Sequence, residues 1–297
     1  MIEIEKLDVV FGSFKALSQV SVTIPEKAGV TALIGPNGAG KTTLIRTIFD
    51  QEKKAAGSVR KSSSDLAYCT DTPSFEPFLR PDEVLQQSLA LYGRSVEPVQ
   101  IKELLTFVGL EKAAGRYVGS FSRGMKQRLG LAAVLILEPQ ILFLDEPTSA
   151  LDPFGREAML ALIRKIGQER RVVVSSHLLA DMQQIADSLL VLDKGHLLYQ
   201  GELSDFLENH QGGLSSFRAA DKTSALELLD FLTIKGISPK LSQEDEALIL
   251  VPRDQFIQTF QVLGERASLL LSCHKRLLDL PQAFTACVRE FEREDFE

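Results

Sequence analysis

Cysteine is scarce in this chain. Cys69, Cys273 and Cys287 are an odd number without the paired spacing of a metal site, and they read as reduced, mostly buried thiols of a cytosolic protein. Positive charge is in deficit: 33 Lys and Arg stand against 40 Asp and Glu, a net −7, which argues against a broad nucleic-acid footprint. Long apolar runs are missing as well. The longest, around Leu129–Leu137 and Ile141–Leu144, fall well short of the ~18 residues that a membrane span needs. The opening Met1-Ile2-Glu3-Ile4-Glu5 is acidic and alternating, unlike a signal peptide. The expectation is a protein soluble by itself that reaches a membrane only through a partner. What is present, 44% hydrophobic and 25% charged residues over 297 positions, suits one large globular domain or two smaller ones.

The most specific stretch is Gly35-Pro36-Asn37-Gly38-Ala39-Gly40-Lys41-Thr42, which fits G-x-x-x-x-G-K-[ST] at every fixed position. Val30–Ile34 before it reads as a buried strand, and Thr42-Thr43-Leu44-Ile45 after it as an opening helix. Glycines let successive backbone N–H groups turn inward on anionic oxygens, and the helix points its positive end at them. Lys41 adds a full charge for the outer phosphates, and the Thr42 hydroxyl suits Mg²⁺.

Along the chain, residues 2–25 alternate and predict an antiparallel edge sheet. Phe11 and Phe14 in it are either packed core or an aromatic platform for a base. After the helix from Lys41 to about Phe49 comes a charged, small-residue stretch at 51–64, then a short strand at Leu66–Cys69. Pro81 at a first helical position, followed by Asp82 and Glu83, opens a helical insertion over 82–118. Ser122 and Gly124 lie at the opening of an apolar helix at Leu129–Leu137, a second anion-site pattern. Ile141-Leu142-Phe143-Leu144 predicts a strand buried on both faces, with Asp145 and Glu146 at its carboxyl end, where open α/β sheets bind ligands. Asp145 suits a Mg²⁺ shell, and Glu146 suits orienting or deprotonating a water. Arg171–His177 is a second buried strand; its histidine is structural or senses phosphate. Leu189–Leu192 and His196–Tyr199 form a hairpin through Asp193-Lys194-Gly195. Beyond a linker at Gln211-Gly212-Gly213, strands and helices alternate as a small α+β unit without a chemical motif, ending in the acidic, solvated Glu290–Glu297.

Taken in order over residues 2–212, these motifs resemble the ATPase subunit of an ABC transporter. Gly35–Thr42 matches Walker A and Ile141–Asp145 matches Walker B, with Glu146 at the position of the catalytic base. Phe121-Ser122-Arg123-Gly124-Met125 stands in the place of the signature, Ser149-Ala150-Leu151-Asp152 looks like the D-loop, and His177 matches the switch histidine. Phe11 falls at the adenine-stacking aromatic. Two departures stand out. Arg123 and Met125 replace a glycine and the glutamine of the signature, a variant that looks like the branch serving separate permeases that export drugs, peptides, lipids, heme or ions. Asp71 stands where the family has its Q-loop glutamine; it can coordinate Mg²⁺ but is shorter and cannot donate.

The resemblance implies a P-loop NTPase core with a parallel sheet, an antiparallel β subdomain and a helical insertion, plus a small C-terminal α+β domain. The expected domains are an ABC-type ATPase domain over 1–212, with its helical subdomain at about 72–130, and an accessory domain over 213–297. It implies ATP with Mg²⁺, contacted by Gly35, Pro36, Asn37, Gly38, Ala39, Gly40, Lys41, Thr42 and Thr43, with Thr42, Asp145 and Asp71 as metal ligands. Glu146 and His177 are the expected catalytic pair. A homodimer would pair head to tail, bringing Ser122, Gly124, Met125 and Asp152 of one copy to the ATP of the other. The expected partner is a separate transmembrane permease at the cytoplasmic face of the cell membrane, with no nucleic acid. A soluble ATPase of the same type acting on ribosomes or DNA, or a resistance or regulatory factor without transport, is the competing expectation.

Overall fold

The computed structural model describes residues 1–297 apart from 64, 150, 211–213, 243–244, 253–254, 275–278 and 295–297. The linker expected at 211–213, the last residues of the acidic terminus and Ala150 of the expected D-loop lie outside the described residues. The chain divides into two compact units, Met1–Phe206 and Leu207–Glu297.

In the first unit the alternating N-terminal residues form β1 (Ile2–Phe11) and β2 (Phe14–Ile24), antiparallel, with Ile2 opposite Ile24. One face carries Ile4, Leu7 and Val9 against Leu17, Val20 and Val22, all buried, and the other is wet. Then follow β3 (Gly29–Ile34), α1 (Lys41–Ile48) and β4 (Ala56–Lys61). β4 lies inside the stretch at 51–64 that shows no strand pattern. It is an edge strand held by backbone pairing to β1, with Glu3 opposite Arg60, so side-chain periodicity leaves little trace.

The larger sheet runs β5-β6-β7-β3-β8-β9, with β5 (Leu66–Cys69), β6 (Ile141–Asp145), β7 (Arg171–Ser176), β8 (Ser188–Asp193) and β9 (His196–Glu202). All neighbours are parallel except β9, which returns from β8 as a hairpin. Every residue of β6 is buried, as an apolar run covered on both faces requires. Parallel pairing brings the carboxyl ends of β3, β6 and β7 to one edge, where the loop at 35–42, Asp145-Glu146 and Ser176-His177 emerge together.

The insertion contains α2 (Pro81–Leu91), α3 (Pro98–Phe107) and α4 (Arg123–Leu135) around Val84, Leu85, Leu89, Ile101, Leu105 and Leu129. α4 begins six residues before the helix expected at Leu129–Leu137. Ser122 caps it, its Oγ accepting from the Met125 N–H at 3.3 Å, so a polar first turn is helical although no apolar stripe marks it. After β6 come α5 (Pro153–Gly167), α6 (Leu179–Ile185) and α7 (Leu203–Asn209).

The second unit has an antiparallel sheet in the order β11-β12-β10-β13: β10 (Leu214–Ala219), β11 (Lys240–Leu241), β12 (Leu248–Pro252) and β13 (Leu270–His274). α8 (Lys222–Ile234), α9 (Phe256–Leu263) and α10 (Leu280–Glu294) alternate with the strands. Phe217, Leu228, Leu232, Ile249 and Val251 form its own core. Among the described residues no helix of the chain is long and apolar enough to cross a membrane.

Candidate active site

The loop between β3 and α1 has a shape that its glycines impose. Gly35 has φ 158°, and a Cβ there would lie 2.1 Å from the Leu192 carbonyl oxygen. Gly40, at φ 103°, would meet Leu17 and the Ala16 carbonyl at 2.7 and 2.8 Å. Pro36, Asn37 and Gly38 form the exposed crest, Ala39 is buried beneath it and accepts from the Gly195 N–H, and Thr43 lies in the first turn of α1. Lys41 folds back under the crest, its Nζ donating to the Gly35 and Pro36 carbonyls at 2.7 and 3.0 Å. It is only 6% exposed. Burial lowers its pKa, and the carboxylates of Glu146 and Asp145 hold it up.

Glu146 lies between Lys41 and His177 and contacts both. Its Oε1 lies 3.7 Å from Lys41 Nζ, and its Oε2 is hydrogen-bonded to His177 Nδ1 at 2.9 Å. The residue sits at φ 47°, a left-handed conformation that side chains seldom adopt. Ser175 holds it there, accepting the Glu146 N–H at both its carbonyl and its Oγ, each at 3.1 Å.

Asp145 is 2% exposed and surrounded by hydroxyls. Thr42 Oγ1 donates to its Oδ2 at 2.9 Å, Tyr68 Oη donates to the same oxygen at 3.0 Å, and Ser175 Oγ donates to Oδ1. Burial and the charge of Asp145 push the Tyr68 hydroxyl well above the ordinary range, so it stays a donor. A hydroxyl and a carboxylate, hard oxygen donors with no thiolate or imidazole among them, fit Mg²⁺ whose remaining ligands are phosphate and water oxygens.

The structure thus brings Lys41, Thr42, Asp145, Glu146 and His177 into one cluster. Asp71 is exposed in the bend after β5, and among the described residues no hydrogen bond joins it to Thr42 or Asp145. Its charge, after burial and that of Asp145, helps raise the Cys69 thiol to about 12. Phe11 and Phe14 face each other across the tip of the β1–β2 hairpin, 46% and 62% exposed. Neither is core, which removes the packing reading for both. Tyr68 and Ser175 were not singled out from the sequence: a tyrosine in an apolar strand reads as packing, and Ser175 reads as strand.

Ser122, Gly124, Met125 and Asp152 line a different cavity of about 800 Å³, with Leu151 and the 85% exposed Phe154. The head of α4 and the head of α5 meet there. Ser122 and Asp152 cap their own helices, Asp152 Oδ1 accepting from the Gly155 N–H at 2.7 Å. Lys112, Arg116, Arg123 and Arg128 also line it. Arg116 and Arg128 bond to carbonyls, whereas Lys112 and Arg123 have no hydrogen bond or ion pair among the described residues.

Residues 17–149 match the sequence model of a family described as ABC transporter. The chain is 34% identical over 230 residues to the uncharacterized ABC transporter ATP-binding protein YxlF of Bacillus subtilis, covering 75% of this chain and 78% of that one. It is 31% identical to the bacitracin transport ATP-binding protein BcrA of Enterococcus faecalis, over 77% of this chain and 78% of that one. Among solved structures, an ATP-binding subunit of an ABC transporter superposes with a TM-score of 0.63 at 26% identity, over 70% of this chain and 92% of the other.

Proposed function

The chain belongs to the ABC transporter family as an ATP-binding subunit, and we propose that it hydrolyses ATP to drive a separate transmembrane permease that exports its cargo. The observation that carries the hydrolase reading is the contact of Glu146 with both Lys41 and His177 at the carboxyl edge of the parallel sheet. Lys41 and the loop N–H groups bind the outer phosphates. Glu146 takes the proton of the water whose oxygen bonds the γ-phosphorus as the bridge to the β-phosphate breaks. With Nδ1 turned to Glu146, His177 has Nε2 left for the γ-phosphate. Thr42 and Asp145 would hold Mg²⁺, which when bound neutralises phosphate charge.

The cavity of Ser122 and Gly124 shares no lining with the Lys41 cluster. Its Arg123 and Lys112, without an ion pair among the described residues and beside the N–H groups that open α4, suit an anion presented from outside. A second copy, set head to tail, would bring one: the γ-phosphate held by its own Lys41. Phe11, half exposed at its hairpin tip, is available to an adenine ring. In the accessory domain α8 and α9 expose Ile234, Ile257 and Phe260, at 83%, 69% and 57%, which supports a part in pairing the copies. Ile257→Glu with Phe260→Glu is expected to shift ATP-loaded protein toward monomer in sedimentation velocity; an unchanged profile counts against that role.

The permease reading draws on the insertion. At the end of α2, Leu91 and Tyr92 are 81% and 64% exposed, and Tyr92 lines a cavity of about 640 Å³ with Phe49, Tyr68 and Leu137. An apolar face of this kind suits a segment of a membrane protein at the cytoplasmic surface. Transport follows the bacitracin transport relative, and the export direction rests on the Ser122-Arg123-Gly124-Met125 variant. The test is to purify tagged, ATP-loaded chain from membranes of its own host and identify what accompanies it. A stoichiometric multi-span protein is expected. Recovery with ribosomal, DNA-bound or no partners would overturn the transport reading.

A further inference from the structure

Three segments carry groups of the Lys41 cluster and of the Ser122 cavity: the turn after β6 with Glu146, the loop after β7 with His177, and the head of α5 with Asp152. Each, or the element that follows it, also sends one residue into a shared contact at Asp181, outside the lining of the Ser122 cavity. Thr148, fully buried two residues after Glu146, donates its Oγ1 to Asp181 Oδ2 at 3.0 Å. Asp181 lies in α6, four residues after His177, and is 6% exposed. Arg156, one turn after Asp152 in α5, brings its Nε to 3.7 Å from the same Asp181 oxygen, and that Nε has no hydrogen bond among the described residues.

We infer that Asp181 is a positioning residue: acting through Thr148 and Arg156, it sets the Glu146–His177 spacing and holds the head of α5 in step with them. The reason is energetic. A buried carboxylate is costly unless its partners stay in place, so the arrangement around Asp181 admits little drift of the three segments. Backbone bonds carry that constraint toward the reacting groups. Ser149 donates its N–H and its Oγ to the Glu146 carbonyl at 3.3 and 3.1 Å, Leu151 N–H reaches the Thr148 carbonyl at 3.3 Å, and Arg156 N–H reaches the Asp152 carbonyl at 2.9 Å. Glu146 needs such support because its φ of 47° is not one it would choose. The 2.9 Å contact with His177 joins two side chains borne on separate loops, and geometry of that kind tolerates only about 0.5 Å of error.

The inference rests on the hydrolase reading of the Lys41–Glu146–His177 cluster, and steady-state ATP hydrolysis by the purified full-length chain tests it. Thr148→Val keeps the shape and deletes the hydroxyl; it is expected to lower kcat about 10–100-fold, the cost of misplacing a reacting group by about 1 Å, with KM for ATP nearly unchanged. Thr148→Ser restores the hydroxyl and should return kcat to within a few-fold of the unaltered chain. Combining Thr148→Val with Asp181→Ala should add little to the larger single loss, because both remove the same contact. A residue that only stabilised the fold would lower kcat in proportion to the folded fraction, and serine would not rescue it selectively. Unaltered kcat in Thr148→Val, or a loss confined to KM, overturns the inference while leaving the hydrolase reading intact. No turnover by the unaltered chain overturns both.

Discussion

Glu146→Gln is expected to lower ATP turnover by ~10²–10⁴ while ATP still binds, the usual reach of a general base. The amide has the size of the carboxylate, so the Ser175 bonds to the Glu146 backbone and the space between Lys41 and His177 are kept. What is lost is the anion that accepts a proton from water and pairs with His177. Lys41 keeps the field of Asp145, so the phosphate side of the site retains its charge. The loss therefore belongs in kcat, measured by phosphate release under saturating ATP, with the affinity for a fluorescent ATP analogue held near that of the unaltered chain. Turnover within a few-fold of the unaltered chain would remove Glu146 from the role of base.

A smaller variant at the same place would separate chemistry from posture. In Glu146→Asp the carboxylate survives but recedes by about 1 Å or more, too far for the 2.9 Å contact with His177 unless the loop follows. Retained activity there would say that the loop moves to meet its partner. That outcome would sit badly with a site whose supporting contacts are as closed as those of Ser175 and Ser149.

The cluster was legible in the sequence because each of its members ends or begins an element with a strong signature. Lys41 and Thr42 follow a strand and a glycine pattern, Asp145 and Glu146 end an unbroken apolar run, and His177 ends another. Parallel pairing then places all three at one edge without further information. The residues that support them were not legible. Tyr68 sits on β5, distant in sequence from Asp145, and reaches it because β5 pairs with β6. Ser175 reads as one more buried strand residue, and only its register opposite Asp145 reveals the hydroxyl contacts. The same holds for β4, whose side chains are exposed or only half-buried and whose place follows from backbone pairing with β1. Periodicity reports which face is buried; it is silent where a hydroxyl or a backbone edge makes the contact.

Lys41→Ala is expected to act on binding rather than on chemistry. Nζ is a full positive charge held under the loop crest, and it is pre-placed, bonded to the carbonyls of Gly35 and Pro36 beside the N–H groups that would meet the phosphates. A charge-assisted hydrogen bond is worth about 1.5–3 kcal/mol, so losing its contacts with two phosphate oxygens should weaken ATP affinity ~10²-fold or more. The cleanest readout is the rise in melting temperature that ATP produces. At a ligand concentration of 100 times Kd the unaltered chain gains about 2.7 kcal/mol, and a ~100-fold weaker variant at the same concentration gains only about 0.4 kcal/mol. Burial already depresses the pKa of Lys41, so the fold carries a desolvation cost for this charge, and removing it relieves that cost while leaving Glu146 with His177 as its remaining partner. The ligand-free melting temperature is thus set by two opposing terms, whereas the ATP-induced shift depends on binding alone. An undiminished shift in Lys41→Ala would place the phosphates elsewhere, and Glu146 and His177 would then need another explanation for facing this loop.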